Sequence, residues 1–170
     1  MDEIINKVGQ SGLIQLDLEE LRPSGERLFF DLAPCLFMGL ALKEKDFRAF
    51  VQEHDWTQYQ SKHVAVGCSV DAIIPTWAYM LISIHLAPYA QTTVFGTLAD
   101  LEKTLYSAVL NELDLSPYRD GRIVIKGCSK ESVPTDVYVQ ISTLFQPIVK
   151  SLFFGEPCST VPLYKQKKTV

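Results

Sequence analysis

The chain has 170 residues, 47% of them hydrophobic, with 16 Lys and Arg against 20 Asp and Glu for a formal charge of -4; this is the size and make-up of a single domain over 1–170. No stretch reaches the roughly 20 apolar residues that cross a bilayer, and 16 scattered cations form no field for phosphates, so neither a membrane nor a nucleic acid is an expected partner. Four cysteines are too few for a disulfide scaffold and are expected to be reduced thiols.

In chain order, the opening MDEIINKVGQSG has neither the basic start nor the apolar core of a secretory signal, which sets a cytoplasmic expectation. Residues 13–18 alternate apolar and polar, with Ile14, Leu16 and Leu18 on one side, and 28–32 form a second extended run. The turn-forming Arg22-Pro23-Ser24-Gly25 between them suggests an N-terminal β hairpin. Residues 34–39, with Cys35, read as buried connection. A helix is expected over 44–53, where Phe47, Phe50 and Val51 share a face, and a short β-branched strand over 64–66. After Gly67-Cys68-Ser69, Pro75 suits a first helical turn, and 92–95 closes as a strand. The same order then returns. A helix over 98–113 shows Leu101, Leu105, Val109 and Leu113, a strand covers 123–125, Gly127-Cys128-Ser129 follows, a helix starts at Pro134, and a strand covers 151–154. The tail 156–170 is extended, with Pro157 and Pro162, and ends in solvated lysines.

This return is an internal duplication: residues 42–96 align with 101–155 at about sixteen of some fifty-five positions, among them Tyr59 and Tyr118, Pro75 and Pro134, Thr76 and Thr135, Tyr79 and Tyr138, Phe95 and Phe154. Two helix-strand-helix-strand units predict a layered α/β fold with one mostly parallel or mixed sheet, joined by crossovers and edged by the hairpin.

In a parallel sheet the loops after the strands share one edge. Cys68 and Cys128 sit in such loops, and Cys158 follows the last strand, so the three thiols are candidates to converge. Three readings stay open. Three thiolates suit a zinc-like metal and leave one position for water, an acid or a substrate, although no Cys-x-x-Cys is present. A nucleophilic thiol needs a base or a helix N-terminus; His54, His63 and His85 are badly placed for this, and Asp71 and Glu131 read more simply as helix caps. Buried, inert cysteines of a structural or interaction protein are the third reading. No nucleotide motif accompanies the Gly-Cys-Ser loops, and the sequence leaves any small-molecule ligand unknown. Apolar surface on thin modules leaves a homodimer open.

The segments Gly67-Cys68-Ser69, Asp71-Ala72-Ile73-Ile74-Pro75-Thr76-Trp77-Ala78-Tyr79, Lys126-Gly127-Cys128-Ser129, Val133-Pro134-Thr135 and Gly155-Glu156-Pro157-Cys158-Ser159-Thr160-Val161-Pro162-Leu163-Tyr164 resemble the bacterial family catalogued as domain of unknown function 2480, known mostly from Bacteroidetes. The resemblance extends to 42–48 and 54–56 and so covers nearly the whole chain. It implies no activity and assigns no residue a role.

Overall fold

The computed structural model describes residues 12–127, 132–156 and 158–167. The chain divides into two compact units, Ser24–Thr104 and the described parts of Met1–Pro23 with Leu105–Val170. Each unit has its own sheet.

In the unit Ser24–Thr104 the strands are β2 (Arg27–Asp31), β3 (His63–Gly67) and β4 (Thr92–Phe95), in the spatial order β2-β3-β4 and all parallel. Parallel neighbours need crossovers, and α1 (Glu44–Glu53) and α2 (Thr76–Leu86) supply them. Strand β3 is buried along its whole length, which is why His-Val-Ala-Val-Gly shows no alternation. Helix α2 buries Ala78, Ile82 and Leu86 at four-residue spacing against Val64, Val66, Phe30, Leu32, Phe47 and Val51. Trp56 closes this core by donating its indole N–H to the Val51 carbonyl at 2.9 Å and stacking on Phe30.

The second sheet has the order β1-β5-β6-β7, from β1 (Leu13–Asp17), β5 (Arg122–Lys126), β6 (Ser151–Glu156) and β7 (Ser159–Lys165). The first three are parallel and β7 is antiparallel to β6. Helix α4 (Thr135–Phe145) buries Val137, Ile141 and Phe145 against Ile123, Ile125, Leu16 and Leu152, the same three-residue stripe as in α2. Helix α3 is Leu98–Glu112.

Two expectations are corrected. The strands β1 and β2 do not pair as a hairpin: β1 lies along β5 and β2 along β3, each in parallel register. Between them the chain makes no tight reversal but a 3-10 turn, Leu18–Leu21, capped by Asp17. Nor is there one sheet; the mostly parallel, mixed α/β character is present, but in two sheets of three and four strands. The extended tail forms β7.

The chain behaves differently after β4 and after β6, although both have a glycine of positive φ at the carboxyl end, Gly96 at 127° just after β4 and Gly155 at 117° one residue before the end of β6, a conformation glycine enters without steric cost. After Gly96, Thr97 and Asp100 form a reciprocal cap: the Thr97 amide donates to Asp100 Oδ2 at 2.9 Å and the Asp100 amide to Thr97 Oγ1 at 3.3 Å, and α3 starts. After Gly155 the chain turns back as β7. The sheet β2-β3-β4 therefore ends at β4, whereas β6 has one strand more.

Candidate functional site

The carboxyl ends of β2 and β3 are tied by one carboxylate. Asp31 accepts the Ala33 amide at 2.9 Å, the Ser69 amide at 2.9 Å and the Ser69 hydroxyl at 2.5 Å. Burial pushes the Asp31 carboxyl up, but the Ser69 hydroxyl and the two amides outweigh it and hold it below the usual range. Cys68 is half-buried in this loop. Burial raises the Cys35 thiol, and the charges of Asp31 and Cys68 raise it further; Tyr79 is raised by burial and then by Cys68. In the other sheet the matching strand ends carry Asp17 and Lys126, with Lys126 Nζ 3.5 Å from Asp17 and 3.7 Å from Glu156.

Two of the predicted thiol trio lie among the described residues. Cys68 follows β3, Cys158 lies exposed in the turn between β6 and β7, and Cys128 lies outside the described residues, as does Glu131. With two sheets, the single shared edge that was to gather all three is absent. Among the described residues no three His, Cys, Asp or Glu side chains are grouped to hold a metal ion. Among the described residues no histidine has a cysteine as a bonded or stacked partner: His63 is buried at the start of β3, bonded to Thr92 Oγ1 and the Ser24 carbonyl, while His54 and His85 pack on the Trp56 aromatic group.

What the structure brings together instead is a pair of matching grooves, each between a helix and the strand after it. In the unit Ser24–Thr104 a cavity of about 600 Å³ is lined by Thr76, Tyr79, Met80, Ser83, Ile84 and Phe95. In the other unit a cavity of about 330 Å³ is lined by Ile125, Thr135, Tyr138, Ser142, Phe154 and Leu163. Four lining residues of each are the same types at matching positions. Their local geometry repeats too: Tyr79 meets Phe95 edge to face at 4.9 Å, Tyr138 meets Phe154 at 5.7 Å, and the Ser83 and Ser142 hydroxyls donate to the Tyr79 and Tyr138 carbonyls. Leu163 comes from β7, and nothing equivalent follows β4. The difference shows in solvent exposure, 40% for Phe154 against 70% for Phe95. Sequence reasoning passed over these residues, although the evidence was in the alignment. Thr, Tyr, Ser and Phe of the groove are identical in both halves, while several core pairs differ, such as Ala78 and Val137 or Leu86 and Phe145.

The family profile described as "Protein of unknown function (DUF2480)" matches residues 2–166. The chain belongs to the DUF2480 family. No curated protein and no solved structure matches this DUF2480 chain. Among its described residues no helix is long and apolar enough to cross a membrane.

Proposed function

We propose that this DUF2480 chain is an interaction protein whose open groove on α2 and β4 takes an extended chain segment as an added antiparallel strand. The observation that carries this is the filled counterpart: β7 lies antiparallel on β6, with Val161 opposite Phe154 and Leu163 lining the groove. Recognition of this kind draws affinity from main-chain hydrogen bonds and specificity from alternate side chains. The preferred segment therefore carries two apolar side chains two residues apart, as Val161 and Leu163 are. A fluorescent peptide of the sequence 159–167 tests it by anisotropy: saturable binding to the full chain is expected, weakened at least about tenfold by Phe95→Asp. Absence of binding by a wild-type chain kept monomeric by dilution would overturn it.

A narrower thiol reading rests on the parallel pairing of β5 and β6, because Cys128 and Cys158 each follow one of these neighbouring strands by two residues. The proposal is a zinc-like ion held by this pair. Protein purified without added metal and assayed for zinc and free thiols decides it; stoichiometric metal lost on Cys158→Ser supports it, and intact thiols without metal remove it.

A further inference from the structure

Four strands end the two sheets, and three carry devices that discourage further pairing: β1 has Asp17, β2 has Arg27 and Asp31, and β7 has Pro162 and Lys165. The fourth, β4, is Thr-Thr-Val-Phe, with neither charge nor proline. Beside it α2 exposes Met80 and Ile84, 61% and 65% accessible, one turn apart on the same face.

Resting on the groove reading above, we infer that the strand that occupies this edge is β4 of a second copy of the chain, so that two three-stranded sheets join into one of six. Direction favours this occupant. A two-fold axis perpendicular to the sheet makes the second β4 antiparallel to the first, the orientation that β7 adopts on β6. Chemistry favours it too, since an uncharged strand meets an uncharged strand. With the axis at Val94, Thr93 of one copy lies opposite Phe95 of the other. Strand alternation puts Thr93 on the face where Phe95 meets Tyr79. By register, Phe95 of the second copy then stands where Tyr164 lies opposite Leu152 in the filled counterpart, next to Leu163 of the groove. The contact is isologous and closes as a dimer.

Sedimentation velocity of the full chain over a wide concentration range tests this, with Ile84→Glu and Phe95→Asp as exposed substitutions whose folding is checked by circular dichroism. The expected result is a dimer whose dissociation constant rises at least about tenfold in both variants. A dimer that neither variant weakens puts the second copy elsewhere and overturns the inference. A wild-type chain that stays monomeric overturns it as well, and the peptide titration then separates the two readings. Binding of the 159–167 peptide by the monomer leaves the groove as a site for another protein's strand, whereas no binding removes the groove reading too.

Discussion

His54 has two hydrogen-bond partners at one ring nitrogen. The Gln58 side-chain nitrogen lies 3.1 Å from His54 Nε2 and the Tyr59 hydroxyl 3.0 Å away. Because the same Gln58 nitrogen also donates to the Asp55 carbonyl at 2.7 Å, its orientation is fixed as a donor, and Nε2 must accept. A proton on Nε2 would face the Gln58 N–H group head-on. Burial among Phe30, Phe50 and Trp56 acts in the same direction and lowers the imidazole, against a smaller upward pull from the Asp55 charge. The unfolded chain therefore takes up a proton on His54 before the folded chain does. Its contribution to stability is fully present above the ordinary histidine value near 6.5 and is lost as pH falls through the lower folded value. Urea midpoints measured at about pH 7.5 and about pH 5.5 are expected to fall with pH in the wild type and to fall less in His54→Gln, which keeps a polar side chain without a titrating ring. An equal fall in both would show that the ring does not carry the effect.

The helices and their strands follow from short-range pattern. Phe47 and Val51 mark the buried face of α1, whose bounds Glu44–Glu53 coincide with the expected 44–53, and the β-branched runs of β3 and β5 lie where they are expected. Strand pairing is not encoded so locally. Alternation in Leu13–Asp17 makes a strand, but its partner Arg122–Lys126 lies more than a hundred residues away, and nothing in Ile14 or Leu16 names it. A turn-rich segment between two strands invites a hairpin on sequence grounds; pairing with the central strands instead gives each N-terminal strand a core to cover. Pro162 similarly concealed β7, since proline is tolerated only in a strand with a free edge. Identity at Thr76, Tyr79, Ser83 and Phe95 with Thr135, Tyr138, Ser142 and Phe154 is visible in the sequence, but that these four residues line one groove depends on how the helix packs on the strand after it. At this scale the two helices predict equal sensitivity. Ile82 and Ile141 hold matching places in α2 and α4, both with no exposed surface. Ile82→Ala and Ile141→Ala are each expected to cost roughly 2–5 kcal/mol in urea unfolding, and a loss under about 1 kcal/mol for either would mean that its core collapses around the gap.

Among the described residues one device recurs at several helical turns: an aspartate whose carboxylate accepts nearby main-chain amides, with four cases beyond Asp17. Asp31 holds Ala33 and Ser69, Asp55 holds Thr57, Asp100 holds Thr97, and Asp114 holds Ser116. At Asp31, burial opposes the hydrogen bonds and loses. At Asp55 and Asp114 the hydroxyls of Thr57 and Ser116 lead, and at Asp100 the Thr97 amide leads; all four carboxyls sit below their ordinary value of 3.8. For a lowered carboxylate the unfolded chain binds the proton first, so its stabilisation is complete above the unfolded value and disappears as pH falls through the folded one. The four act in one direction and in both units, since Asp114 belongs to one and the other three to its neighbour. The expected outcome is a loss of stability that steepens below about pH 4, beyond the shallower decline due to His54. Asp31→Ala is the informative variant because it removes three hydrogen bonds at once, including both that anchor the Cys68 loop. It should cost about 1–2 kcal/mol at neutral pH, as the loss of a cap does, and the variant's stability should converge on that of the wild type in acid, as pH falls through the lowered folded value of Asp31. Urea titrations at neutral and acid pH check the convergence, and a deficit that persists undiminished in acid would show that Asp31 stabilises by shape and packing instead of by charge.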